Sequence, residues 1–306
     1  MANMKTIKRR IKSVSSTMQI TKAMELVASS KLRRAKQKTA SARPYFEEQH
    51  RMLTEISRSH NIDTVFTRNR ESGSSGQGST PPGNRRLYIV IAGDRGLAGG
   101  YNSSIFKLVS AAHESHSEKA EKPKIIAVGK KAVEYFEKRG YDIINSKVGL
   151  DLLKPGHCSD IANMAVKLFL DGSVDEVQLF YTKFVSSMTQ EASIMPLLPI
   201  NAAQFDQNQD DDGKAESNAK QLGEITYDPA PEAVFNRIVP CFLMSLIQCA
   251  VTESYASEQC ARRVAMESAS DNAEEMIENL SLLYNRARQE KITNEINEIV
   301  GGANAL

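Results

Sequence analysis

No glycine occurs before Gly73 and no proline before Pro44, and a second glycine-free stretch runs from Glu232 to Val300 with Pro240 inside it. Glycine and proline are the residues that most readily interrupt helices. Each end of the chain can therefore run as one helix longer than a compact domain contains. The apolar pattern agrees: Ile7, Ile11, Val14 and Met18 step by four, three and four, and Ile20, Met24, Val27 and Leu32 continue a neighbouring stripe. That is the spacing of a heptad seam. Near the other end Met276, Leu280, Leu283 and Ala287, then Ile292, Ile296 and Ile299, keep a helical seam. Helices are expected from about Asn3 to about Ser59, bent or offset near Pro44, and from Glu232 to Val300. At ~1.5 Å per residue they reach roughly 80 and 90 Å. Each seam needs a partner and the lengths match, so an antiparallel pair is expected, with Met18 beside Leu280 to Ala287.

The middle of the chain changes period. Asn69 to Arg85 is dense in Gly, Ser and Pro and reads as a flexible linker. Leu87 to Ala92 and Lys124 to Val128 are short apolar runs of the buried-strand kind, with a further strand at Asp142 to Lys147. Helical patterns occupy Ser103 to Lys119, Lys130 to Lys138 and Cys158 to Leu170. Strand alternating with helix predicts a small, largely parallel, three-layer α/β domain. Val174 to Val185 and Glu191 to Leu198 read as two longer strands that form a hairpin or complete the sheet. Asn201 to Gln221 contains an acidic run, has little to bury, and reads as a surface loop.

Charge is unevenly placed. The net charge is +2, yet Lys5 to Lys38 holds eleven Lys or Arg residues and one acid, Glu25. Such a segment can neutralise nucleic-acid phosphates, an anionic membrane surface or acidic protein loops. Its charges wrap around the helix, Lys8, Arg9, Arg10 and Lys12 and again Lys31, Arg33, Arg34 and Lys36, whereas a groove reader would gather them on one side. Cys158, Cys241, Cys249 and Cys260 show no CxxC spacing and read as reduced thiols. His113 and His116 are a close histidine pair without a facing Cys or carboxylate cluster, so no metal site is expected. No run approaches the ~18 uninterrupted apolar residues of a membrane span. The helical pattern starts at Ile7, so no removable presequence is expected.

Gly93 to Asn102 reads GDRGLAGGYN, directly after a strand and before a helix. Strand, glycine-rich turn and helix N-terminus can cradle a phosphate. The sequence has no GK[ST] and its spacing is not GxGxxG, so a tight turn with positive φ at Gly93, Gly96, Gly99 or Gly100 is favoured. Asp94 and Arg95 could make an acid and a base, but each reads equally well as a turn cap or a member of a surface ion pair. No GxSxG elbow positions a nucleophilic serine, and no independent enzyme is expected.

Three separated blocks closely resemble the gamma subunit of F-type rotary ATP synthases. They are IKRRIKSVSSTMQITKAMELVASSKLRRA from Ile7, the GDRGLAGGYN turn with Ala98 where that family often has Cys, and the segment from Glu258 to Leu306. The resemblance implies a long antiparallel two-helix coiled coil built from the chain ends, entering a hexamer of three alpha and three beta subunits, plus a central Rossmann-like α/β domain. The expected division is an N-terminal shaft helix (1–60), a linker (61–85), the Rossmann-like domain (86–200), an acidic loop (201–223), and a foot segment with the C-terminal shaft helix (224–306). The implied role is a non-catalytic rotor, one copy per complex and without cofactor. It would couple ion flow through the membrane c ring to ATP chemistry at the beta subunits, and sit peripherally on the cytoplasmic face of a bacterial membrane. Alpha, beta and epsilon subunits and the c ring are the implied partners, and nucleic acid is not among them. Carried over by position, Arg288, Gln289 and Thr293 contact the beta subunits' catch loop with Met24 beside them on the N-terminal helix. Ile225, Tyr227 and Asp228 rest on the c ring. The thiol-controlled photosynthetic members carry two close cysteines in an insertion; the acidic insertion here is cysteine-free. The alternatives from the residues alone are a basic coiled-coil nucleic-acid binder and a small nucleotide-binding α/β enzyme.

Overall fold

In the computed structural model the described residues are 4–59, 62, 64–67, 85–115, 122–200 and 227–303. The two long helices are α1 (Met4–Ser59), of 56 residues, and α5 (Pro231–Ala303), of 73 residues. Between them lie β1 (Arg86–Ile91), α2 (Tyr101–Glu114), β2 (Lys124–Val128), α3 (Lys130–Glu137), β3 (Ile143–Lys147), a single 3-10 turn at Leu150–Leu152, α4 (Pro155–Leu170), β4 (Glu176–Phe184) and β5 (Gln190–Leu198). The sheet order is β3-β2-β1-β4-β5. The pairs β1–β2, β1–β4 and β2–β3 are parallel, and β5 runs antiparallel to β4. The two longer strands thus form a hairpin and complete the sheet as well.

From Leu87 to Ile91, β1 is a buried, largely apolar run because both of its faces are covered. On one side Tyr88, Val90 and Ala92 pack with Ile125, Ala127 and Phe180 under Ile105, Phe106 and Val109 of α2 and Ala132 and Phe136 of α3. On the other, Leu87, Ile89 and Ile91 meet α4 through Ile161, Ala165 and Phe169, and α5 through Phe235, Val239, Leu243 and Ile247. The third layer is therefore partly the long helix itself. Leu53 and Ile56 of α1 join the same cluster. A stretch of α5 is apolar and long enough to cross a membrane by composition, and half of it is buried inside the fold, as in a core helix.

The segment read as linker begins folded. A turn at Thr64–Thr67 buries Phe66 in the sheet cluster, and the Phe66 carbonyl accepts the Ile200 amide at 2.7 Å. Residues 68–84, the acidic segment 201–223 and Ile225 lie outside the described residues.

Three independent contacts fix the register of the antiparallel pair. Phe46 stacks on Phe242 with ring centroids 5.7 Å apart. Leu32 and Ala35 pack with Ala256 and Cys260, and the Thr21 and Ser270 hydroxyls hydrogen-bond at 2.7 Å. Small seam residues such as Ala28, Ala35, Ala256 and Ala273, all buried, let the helices approach closely. This register sets Met18 opposite Ala273, not beside Leu280 to Ala287 as expected, an offset of at least seven residues or ~10 Å.

The observed α1 seam is Ile7, Ile11, Val14, Met18, Thr21, Glu25, Ala28, Leu32, Ala35 and Thr39, all buried or half-buried. Ile20 and Val27, expected in the continuing stripe, are 59% and 57% exposed. The heptad steps from Met18 land on Thr21 and Glu25 instead, because register outweighs hydrophobicity at single positions. On α5, Met276 and Leu283 point outward while Ile277, Leu280, Tyr284 and Ala287 are half-buried. From Arg288 to Val300 every residue is exposed, Ile292, Ile296 and Ile299 included. Met4 is answered by about Ala287, so α5 continues beyond the described start of α1 as a single helix.

Candidate functional site

β1 leads through α2 to β2 on one side, and α4 leads into β4 on the other, so the strand order reverses between β1 and β4. Doubly wound sheets take ligands in the crevice beyond the carboxyl ends of the strands at such a point. The Gly93–Asn102 turn opens there, and the amides that surround its acid and its first residue are engaged. The Asp94 carboxylate accepts the amides of Lys130 at 3.0 Å and Gly149 at 3.0 Å on one oxygen, and that of Leu150 at 2.7 Å on the other. Lys130 is the first residue of α3, so an internal carboxylate takes the place of a phosphate at that helix N-terminus. Asn102 accepts the Gly93 amide at 2.8 Å and closes the turn. Gly129 has φ +99, and a Cβ there would stand 1.9 Å from the Ala92 carbonyl oxygen; only glycine fits this approach of β1 to α3. Within the turn the positive φ falls on Gly99 and, unexpectedly, on Leu97.

Helix α5 fills the rest of the crevice. Past Phe180, β4 extends beyond its ladder with β1, and α5 side chains take over the missing strand's hydrogen bonds. Ser254 Oγ accepts the Thr182 amide at 2.9 Å, Ser257 Oγ donates to the Thr182 carbonyl at 3.2 Å, and Glu253 accepts the Phe184 amide at 3.0 Å. One turn further, Arg262 bonds Glu258 at 2.6 Å and donates to the Gly96 carbonyl at 3.2 Å and the Arg95 carbonyl at 3.4 Å. The Arg262 and Glu258 side chains are 9% and 4% exposed. Burial raises the Glu258 pKa, while Arg262 pulls it back, Asp94 pushes it up and Lys31 lowers it. Burial likewise raises Glu253, against the Phe184 amide and Lys183, and drives the fully buried Tyr101 phenol strongly upward. From α1, Lys31 reaches Asp151 at 3.4 Å and the Lys36 ammonium lies 4.5 Å from the Phe184 ring centroid.

The crevice holds a carboxylate, a buried ion pair and two serines, each bonded to the fold. Among the described residues no cluster of three or more His, Cys, Asp or Glu side chains can hold a metal. What the site does is lock a sheet to a long helix.

The other expected site residues fall at two levels. Arg288, Gln289 and Thr293 are exposed on the single-helix extension of α5. Met24 is half-buried, and the register places it opposite residue 267. It therefore lies about 30 Å down the shaft from Arg288, not beside it as expected. At the far end, Tyr227 packs partly buried against the sheet cluster and Asp228 is exposed. Sequence reasoning missed Glu253, Ser254, Ser257, Glu258 and Arg262. Their signal was available: polar residues at helical spacing on the buried side of an otherwise apolar helix need partners.

Comparison with known proteins shows the family of the chain. The ATP synthase family model matches residues 3–306. The ATP synthase gamma chain of Ruminococcus albus is 47% identical over 307 residues, covering 98% of this chain and 97% of its own. The sodium ion specific gamma chain of Acetobacterium woodii is 41% identical over 314 residues and 99% of both chains. A chain in the cryo-EM structure of the Euglena gracilis mitochondrial ATP synthase, in an assembly of OSCP, F1 and c-ring, superposes with a TM-score of 0.63 at 20% identity, covering 99% of this chain and 94% of that one. Two paired terminal helices, a Rossmann-like domain locked against one of them, and whole-length similarity to these relatives together show that the chain belongs to the ATP synthase gamma-chain family.

Proposed function

We propose that the chain is the rotor of an ATP synthase, a single copy joining a membrane c ring to a hexamer of alpha and beta subunits, with epsilon bound at its foot. Ion flow turns the ring, the ring turns the α/β domain, and the shaft presents a different side to each beta subunit in turn. Catalysis belongs to the beta subunits. The observation that carries this reading is the occupant of the crevice: where related sheets hold a ligand, this one holds side chains of its own long helix, which ties the domain to the shaft. A symmetric ring around an asymmetric shaft has its sites in different conformations, and rotation exchanges them. In this role the complex sits peripherally on the cytoplasmic face of a bacterial membrane.

The catch on the beta subunits is Arg288, Gln289 and Thr293 on the extension, with Met24 meeting them lower on the shaft; Ile225, Tyr227 and Asp228 form the ring contact. Exposure of Arg288 leaves its guanidinium free to pair with a carboxylate of the surrounding ring, a bond of about 1.5–3 kcal/mol. The test is Arg288→Ala with Gln289→Ala in the purified complex. Assembly at wild-type levels with both ATP hydrolysis and ion-driven synthesis reduced about tenfold or more is expected. Full activity in an assembled complex would remove these residues from the catch.

A further inference from the structure

Two kinds of contact join the α/β domain to the shaft. Most of the area is apolar, through the cluster that α5 shares with α4 and the sheet. Apolar contact is non-directional and resists sliding only through interlocking shapes. The polar contacts are directional, and they are gathered at one level of the shaft, on both helices.

They form a nearly closed circuit. Arg262 of α5 holds the carbonyls of Arg95 and Gly96. The next residue, Asp94, holds the start of α3 and the amides of Gly149 and Leu150. Asp151, adjoining Leu150, pairs with Lys31 of α1. Leu32, beside Lys31, packs with Cys260 of α5, whose thiol also donates to the Ser187 carbonyl at the β4–β5 turn, 3.1 Å away. Glu258 stands inside the circuit, bonded to Arg262 and packed so closely under Gly93 that a Cβ there would lie 3.0 Å from its carboxyl carbon. Its carboxylate is the counter-charge that permits a nearly buried guanidinium at this point.

We propose that this collar is the joint that carries torque between the α/β domain and the shaft, and that Glu258 and Arg262 are its positioning residues for coupled ATP synthesis. The proposal rests on the rotor reading. A foot gripped by apolar packing alone would twist about the shaft under load; the collar opposes that twist because its hydrogen bonds and its ion pair, unlike the Leu32 to Cys260 packing, have fixed directions.

The experiment uses the whole ATP synthase complex in lipid vesicles carrying Arg262→Met, Glu258→Gln or Arg262→Lys. ATP hydrolysis without an ion gradient and ion uptake per ATP hydrolysed are measured on the same preparation. In a parallel sample, a bead on Lys138→Cys, an exposed position at the end of α3, reports angular fluctuation of the foot while the complex is stalled. Both Arg262→Met and Glu258→Gln are expected to assemble and to hydrolyse ATP near the wild-type rate. Uptake per ATP should fall by about tenfold, the factor corresponding to one charge-assisted hydrogen bond, and the angular spread should widen. Arg262→Lys, which keeps the charge, should recover part of both. If hydrolysis and uptake fall in parallel, if neither changes, or if the variants do not assemble, the collar holds the fold and is not a torque joint. A wild-type complex that hydrolyses ATP without taking up ions would refute the rotor reading itself, which separates the two failures.

Discussion

Asp94 bonds three amides that lie 36, 55 and 56 positions away in sequence, and that separation explains why its role could not be read locally. The glycine-rich turn was legible as a turn, since the strand before it and the helix after it define its ends. That its acid completes the fold from inside required the sheet order. Asp94→Ala should weaken the domain by about 2 kcal/mol, a sum of exposed and half-buried bonds. Hydrogen exchange at β1 and β2 in the complex would then run roughly 30-fold faster; unchanged protection would mean that water replaces the carboxylate at no cost. The cysteines test burial in the same region. Burial pushes the Cys158 and Cys249 thiols up to about 11, so the thiol form is favoured in the folded chain up to that pH. At pH 8 the thiolate is therefore a small minority at either site. Iodoacetamide should therefore modify both far more slowly in the native complex than in a denatured sample, with a rate that climbs about tenfold per pH unit while the fold persists. Equal rates in the two samples would contradict their burial.

At the scale of elements, the helices and strands were largely legible because each has a strong period or composition. β2 and α3 fall within a residue of expectation, and the terminal helices within a few. The pairing of the helices was less legible. An antiparallel partner follows from matched seams, but the relative shift depends on which small residues meet, and alanines and serines carry little hydrophobic signal. Ile20 and Val27 misled for the same reason: they are apolar, but the seam passes through Thr21 and Glu25. The Thr21 to Ser270 hydrogen bond allows a direct check. With the four native cysteines replaced, Thr21→Cys with Ser270→Cys should form an intrachain disulfide under mild oxidation in most molecules, whereas Met18→Cys with Leu280→Cys should stay reduced. The opposite result would shift the register by about two turns of helix.

For the whole molecule, family membership follows from similarity along its entire length, and the structure adds how one chain can be both foot and axle. The sheet buries one face under α2 and α3 and the other under the axle itself, so the fold of the foot cannot be completed without the shaft. A separate domain on a flexible tether could not deliver torque. The exposed extension, with Ile292, Ile296 and Ile299 among hydrophilic neighbours, leaves α5 without a partner among the described residues along that stretch, as an axle entering a ring requires. The sheet's outer hairpin offers a handle for the decisive measurement, because Met188 at its tip is 88% exposed. A fluorescent nanorod attached at Met188→Cys, in a complex held to glass by its hexamer, should turn stepwise in one direction when ATP is added and stop when ATP is removed. A rod that only jitters while the same complexes hydrolyse ATP would contradict the rotor account.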